Sequence, residues 1–221
     1  MEFTLLATLG FCGLDYLLSK ARIANPYYLL HALHNAVIVY ATLPDVFSCV
    51  RDYDLLWELR NEKNWLAIEF VFALHFYHII MYFRKLRFDD WLHHGLMIGI
   101  ALPIGTYLQS GPLLGFSLFF TTGLPGGIDY FLLFLTRNNW LHRQTEKYVN
   151  CWLNTWIRAP GTAAQAILTT IFILRYAETY SFDWCLGLTT AALNYWNGQY
   201  FMAQVVYDTG HHDVYKQYHL A

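Results

Sequence analysis

The sequence predicts an all-α, polytopic membrane protein, and three observations carry that expectation. Only 14% of the 221 residues are charged, against about 25% in a typical soluble domain. The apolar residues gather into seven runs near membrane-crossing length, separated by turn signals. Aromatics reach 19%, with 17 Tyr and 8 Trp, and their amphipathic rings suit the membrane–water boundary. Mean hydropathy is nonetheless only +0.27, because Asn, Gln, Thr and His are scattered inside the apolar runs. Polar residues in a span face the bundle interior or a wet cavity rather than lipid.

Each run can be taken in order against the ~20 apolar residues a crossing needs. The first, 3–19, follows Met1-Glu2-Phe3 with no basic segment, so it reads as a span and not as a cleaved signal peptide. It is short and carries Asp15. The second, 26–43, lies between Asn25-Pro26 and Pro44-Asp45. A polar connection, 45–63, has room for a short interfacial helix around Leu55-Leu56-Trp57. The runs 64–83, 91–109, 112–136, 148–174 and 183–207 follow, with Gly111-Pro112 and Asn138-Asn139 as boundaries. Pro103, Pro125-Gly126-Gly127 and Pro160-Gly161 predict bent helices, whose freed backbone groups need neighbours or a polar chamber. The chain divides into an N-terminal helix (1–25), a membrane domain (26–207) and a short tail (208–221).

Basic residues assign the sides. Lys20, Arg22, Arg84, Lys85, Arg87, Arg137, Arg143, Lys147 and Lys216 fall on one side of the alternating spans; Arg51, Arg60, Lys63 and Arg175 fall on the other. Nine against four places the N-terminus outside and the C-terminus inside. Arg84, Lys85 and Arg87 then form an inner-face cluster that would attract the phosphates of an acyl-CoA or of anionic lipids. A net charge of −2 without a Lys/Arg stripe sets nucleic-acid binding aside. Cys12, Cys49, Cys151 and Cys185 show no CxxC and no zinc spacing, so they read as small buried apolar residues. No GxSxG, GxxxxGKS/T or GxGxxG occurs, which leaves serine-hydrolase, P-loop and Rossmann readings without an anchor.

The polar residues inside the runs are the candidates for function. Glu69 and Asp129 are carboxylates at depth, and Arg158 sits in Trp156-Ile157-Arg158-Ala159-Pro160-Gly161. Such groups pair or line a pathway, so Arg158 is expected to pair with Asp129 or Glu69. Histidines come in doublets: His31 with His34, and His75 with His78, each at i,i+3 on one helix face, then His93-His94 and His211-His212. The doublets invite a membrane di-iron site, but no HxxHH or HxxxH box occurs, and no metal-ligand set is assigned. The pair His93-His94, within Asp89-Asp90-Trp91-Leu92-His93-His94-Gly95, stands at the mouth of the uncharged run Leu96 to Leu108. Imidazole is suited there to moving a proton or taking an acyl group.

These stretches fall in an order that resembles the TLC-domain proteins, which include ceramide synthases, translocon-associated membrane proteins and lipid-homeostasis proteins. The matching residues are Phe76-Tyr77-His78-Ile79-Ile80-Met81, Asp90-Trp91-Leu92-His93-His94, Asn150 with Trp156-Ile157-Arg158-Ala159-Pro160, and Leu193-Asn194-Tyr195-Trp196. They cover roughly 64–207, and the double His is the most specific of them. The chain departs from ceramide synthases where Gly95-Leu96-Met97 follows the double His without a Thr or Ser. It departs again at Gly123-Leu124-Pro125-Gly126-Gly127-Ile128-Asp129, where only Asp129 matches an acidic motif, and at His78, which stands where many members carry an aspartate.

The resemblance implies a six-helix membrane barrel with an extra first helix, enclosing a chamber for lipid chains. Glu69, His75, His78, Asn150, Arg158, Asn194 and Trp196 would line or brace that chamber. In ceramide synthases the double His carries an acyl group from CoA to a long-chain amine. Carried over, His93 and His94 with Asp90 and Asp129 form the catalytic set, and Arg84, Lys85 and Arg87 hold the co-substrate. The resemblance thus implies acyl-CoA as co-substrate, a bound lipid and no tightly held cofactor. It implies membrane lipids and other membrane subunits as partners. The compartment implied is the endoplasmic reticulum, with the mitochondrial inner membrane or another organelle as alternatives. A catalytically silent lipid-binding barrel or structural subunit is the second reading, and a His-rich metalloenzyme the third.

Overall fold

The computed structural model of the chain describes residues 2–86, 88–108, 110–176 and 183–219, and of these the side chains of Asp89, Asp183 and 213–219 are outside the description. The class is all-α, with no strand among the described residues. In chain order the helices are α1 (Glu2–Lys20), α2 (Pro26–Arg51), the short α3 (Leu55–Glu58), α4 (Trp65–Tyr82) and α5 (Phe88–Leu96). They continue with α6 (Leu102–Tyr107), α7 (Pro112–Leu118), α8 (Leu124–Arg137), α9 (Arg143–Leu153), α10 (Ala159–Arg175) and α11 (Asp183–His219).

Proline explains the joints. Pro103, Pro125 and Pro160 each lie just inside α6, α8 and α10, and each is preceded by a five-residue π-helical turn: Met97–Ala101, Phe119–Gly123 and Asn154–Arg158. A proline lacks its N–H and crowds the carbonyl four residues back. Widening the preceding turn relieves that clash without breaking the rod, a local adjustment known to keep helices continuous. The bends expected from the sequence therefore take the form of π turns. Pro44 behaves differently. The expected end of the second run at 43 is overturned, because α2 continues through Pro44 to Arg51. Asn64 supports this stretch, its amide donating to the Ala41 carbonyl at 2.6 Å and to Asp45 Oδ2 at 3.0 Å.

Among the described residues, four continuous stretches are long and apolar enough to cross a membrane: Pro26–Arg51, Trp65–Lys85, Pro112–Arg137 and Arg143–Arg175. Their outer surfaces carry large exposed apolar side chains, among them Tyr40, Phe47, Ile80, Ile167 and Leu174. A surface so rich in apolar groups fits a lipid surround rather than water. α1 packs on α4, α2 on α7 and α8, and α10 on α11. Tight steps need small residues: a Cβ on Gly161 would meet the Phe120 ring at 2.1 Å, and one on Gly198 would meet Thr162 Oγ1 at 1.9 Å.

The two ends of the bundle are distinct. At one end Lys147 pairs with Asp208, the Asn138 amide donates to the Ala24 carbonyl at 3.2 Å, and Tyr27 and Tyr82 rings meet at 5.0 Å. At the other, Arg175 pairs with Asp54 at 2.6 Å, Trp57 stacks on Tyr176 at 4.0 Å, and the Gly111 amide donates to the Arg60 carbonyl at 3.0 Å. Gly111 has φ +47° and a Cβ there would meet Leu59 O at 2.4 Å, so only glycine fits this turn. Tyr53 also ties the connection down, donating to the Leu168 carbonyl at 3.2 Å, and burial pushes its phenol up to about 12. The short helix expected near Leu55 is present as α3. The tail expected after 207 is instead helical, α11 running to His219. Its 208–219 segment holds no proline, and the Asp208 ion pair fastens it to α9. Cys49 is buried as expected, whereas Cys185 is exposed on α11.

Candidate functional site

Three helices bring five histidines into one group. His31 comes from α2, His75 and His78 from α4, and His93 and His94 from α5. The i,i+3 spacing puts His75 and His78 on the same face of α4, aimed at α5. Ring centres are 4.2 Å apart for His31–His78, 5.1 Å for His75–His94, 5.3 Å for His78–His94 and 5.6 Å for both His75–His93 and His93–His94. His31, His75, His78 and His94 are all buried; His93 is half-buried, beside Phe201 of α11. His34 lies one turn along α2, its Nδ1 donating to Asn35 Oδ1 at 2.8 Å.

The hydrogen bonds around these rings are incomplete. His31 Nδ1 donates to the Tyr27 carbonyl and His75 Nδ1 to the Val71 carbonyl, each at 2.7 Å. In a neutral ring this fixes the tautomer and leaves Nε2 as a lone pair. His31 Nε2, both nitrogens of His78 and His94 Nδ1 are buried without a hydrogen-bond partner among the described residues. Tyr27 and Tyr130 wall the group, with Tyr130 stacked on His31 at 4.2 Å and Tyr27 on His78 at 5.0 Å. Asp90, one turn before the pair on α5, is in electrostatic reach of both His93 and His94. Such a group can accept, hold or pass a proton, offer a nucleophilic nitrogen, or bind a cation.

A second polar layer lies beside it. Arg158, at the end of the π turn before α10, donates to Asn154 Oδ1 at 2.8 Å, and Asn154 donates to Asn150 Oδ1 at 2.6 Å. The guanidinium sits over the Phe201 ring at 5.4 Å, against the Gly126 surface. Asp129 is within its electrostatic reach, and Asp129 in turn is in reach of Glu146 and Lys147. The expected Arg158 ion pair is corrected in one respect. Glu69 is not the partner, because it accepts from the Thr4 amide at 2.9 Å and the Thr4 hydroxyl at 3.0 Å, near the start of α1. That amide is one of the unpaired donors of a helix N-terminus.

The sequence-selected residues therefore divide. His75, His78, His93, His94 and Asp90 come together. Asp129 groups with Arg158 and Glu146, and among the described contacts it bonds to neither imidazole. Asn150 joins the Arg158 layer. Asn194 is elsewhere, donating to Gln165 Oε1 at 2.6 Å between α10 and α11. Trp196 is exposed and stacks on Tyr200 at 5.0 Å, so it does not line the interior. Arg84 and Lys85 are exposed at the basic end, Lys85 lying 5.6 Å above the Tyr82 ring; Arg87 is outside the described residues.

Sequence reasoning paired His31 with His34 but did not join His31 to the other doublets, and it missed Tyr27, Tyr130 and Asn154. The i,i+3 doublets on separate helices were the available signal. A cavity of about 740 Å³ opens at the basic end between α8 and α9, lined by Trp140, His142, Arg143, Glu146 and Lys147 among others. Comparison of the chain with protein-family models, with curated proteins and with solved structures finds no match.

Proposed function

We propose that the protein is a TLC-type integral membrane protein that processes lipid at its histidine group, transferring an acyl chain from acyl-CoA to a long-chain amine. One observation carries the reading: His94 is 4% exposed, and its Nδ1 has no partner among the described residues although it is packed among other imidazoles. An imidazole kept out of water and held neutral keeps the lone pair that acyl acceptance needs. It also lies only ~9 Å along the axis from the start of α5, at 1.5 Å per residue. A CoA headgroup at the basic end could thus stay in water while its thioester reaches the ring. Asp90 would orient the pair. The rods α1, α5–α6 and α11 join the four long apolar stretches as further crossings.

Purified protein in lipid nanodiscs, given acyl-CoA and a long-chain amine, is expected to form the amide and an acylated histidine detectable by mass. Absence of both, under conditions that support a ceramide synthase, overturns the reading. Topology is tested separately: cysteines placed at 85 and 208 should label from one face, and one at 60 from the other.

One observation favours the second reading, a barrel that holds lipid or partner helices without chemistry. Asp129, the residue matching the family's acidic motif, attends Arg158 rather than the double His. That reading expects no turnover in the wild type, so the same assay separates the two.

A further inference from the structure

We propose that His75, His78, His93 and His94 form a binding site for one divalent transition-metal ion of the zinc class. The inference goes beyond acyl transfer and stands without it. An ion would occupy the very lone pairs an acyl-accepting imidazole uses, so the loaded and the acylating states of the site exclude one another.

The spacing carries the argument. An imidazole binds such an ion at 2.0–2.1 Å, which puts the ring centres of two ligands on one tetrahedral ion roughly 5.2 Å apart. Five of the six separations among these four rings are 5.1 Å (His75–His94), 5.3 Å (His78–His94), 5.6 Å (His75–His93 and His93–His94) and 6.3 Å (His75–His78), while His78 and His93 are not in ring contact. Among the described residues, no group of three or more His, Cys, Asp or Glu side chains is arranged to hold a metal ion, so the site has to form by rearrangement. Reaching a site needs ring rotation about χ2, a broad and soft torsion for histidine, a closing of about 1 Å between His75 and His78, and an approach of His78 to His93. The helix backbones hold the other four pairs within about 0.4 Å of the required spacing.

The chemistry of the nitrogens agrees. His75 gives its Nδ1 hydrogen to the Val71 carbonyl, leaving Nε2 as the free lone pair. This is the support that metal-ligating histidines receive from their surroundings. Among the described residues, neither nitrogen of His78 nor Nδ1 of His94 has a partner, in a site more than nine-tenths buried at both residues. Orphaned polar atoms at such depth cost free energy until something polar fills the space between them. Four neutral nitrogens match a borderline-soft divalent ion such as Zn²⁺ or Co²⁺, and match Mg²⁺ or Ca²⁺ poorly, since those prefer oxygen. Asp90, in reach of His93 and His94, supplies negative charge beside the bound cation.

The test uses full-length protein in nanodiscs, prepared without a polyhistidine tag, stripped with a chelator and titrated with Co²⁺ and then Zn²⁺. Binding of about one ion per chain is expected, with the intense visible bands of tetrahedral cobalt, displaced by zinc. The double variant His75→Gln/His94→Gln should weaken binding by at least about 100-fold, more than loss of an outer-shell partner does. The double variant His211→Gln/His212→Gln should leave it unchanged. If the first variant fails to fold, the wild type still decides: zinc should raise its Tm, and the chelator should reverse the rise. No ion retained, binding that survives loss of His75 and His94, or binding abolished with His211 and His212 overturns the proposal. Ion binding in a protein that makes no amide supports it and removes acyl transfer; amide formation with no ion bound does the reverse.

Discussion

The buried polar groups of this bundle are built on two opposite plans. Between α10 and α11, Asn194 donates to Gln165 at 2.6 Å and Gln165 donates to Thr169 at 2.9 Å. On α1, Asp15 is buried and accepts from the hydroxyls of Tyr77, Tyr82 (2.6 Å) and Ser19 (3.2 Å). In the histidine group, by contrast, four ring nitrogens on His31, His78 and His94 are buried with no hydrogen-bond partner among the described residues. A satisfied network locks helices together, because every alternative arrangement leaves a group unpaired. An unsatisfied one costs free energy until water, an ion or a ligand supplies the missing partner. The difference separates the scaffold from the site.

The largest effect expected from this contrast is on chemistry. His94→Ala should lower amide formation by roughly 10²–10⁴ or more, since both acid–base help and the nucleophile go. The fold should be kept, as judged by an unchanged elution profile and helix content. A variant that folds and turns over normally would place the chemistry elsewhere.

Stability should then respond with opposite signs in the two regions. Asp15→Leu strands the Tyr77 hydroxyl, which is fully buried, and removes bonds to a carboxylate. The expected loss is about 3 kcal/mol, visible as a lower midpoint of unfolding in detergent. His78→Leu, in metal-stripped protein, replaces two orphaned nitrogens with a side chain of similar volume. A gain of about 1–2 kcal/mol is expected, the reverse of the usual penalty for an unpaired polar group. A loss there would mean that His78 is bonded in the empty protein, and the contrast between the regions would fail.

The legible and illegible parts of the fold follow from the range of the forces involved. Helix limits set by local chemistry were readable: Asn25-Pro26, Gly111-Pro112 and Asn138-Asn139 all fall at real boundaries. The prolines gave the places of the three joints, but not that the joint would be a π turn, since that depends on helix neighbours holding the rod straight. Pro44 misled because Asn64, 20 residues on, supports the helix through it. For the site, each histidine doublet was visible as a face of its own helix. That α2, α4 and α5 turn those faces toward one another is a packing fact with no local trace. Trp196 failed for the same reason. One motif position cannot say which side of α11 meets the bundle.

The smallest effect is the one that tests whether the satisfied region is structural only. Asn194→Leu leaves Gln165 Oε1 without its donor, and Gln165→Leu leaves the Asn194 amide without its acceptor. Each should cost about 1 kcal/mol, the modest scale of interhelical hydrogen bonds measured inside membranes. Replacing both with leucine removes the polar groups together, so nothing is stranded, and apolar contact takes the place of the bond. The double variant should therefore be less destabilised than the sum of the singles, giving a coupling of about 0.5–1 kcal/mol in a double-mutant cycle. Amide formation and ion binding should stay at wild-type levels in all three. If either activity falls while the protein remains folded, the α10–α11 network reaches the histidine group. The division between a satisfied scaffold and an unsatisfied site would then have to be abandoned.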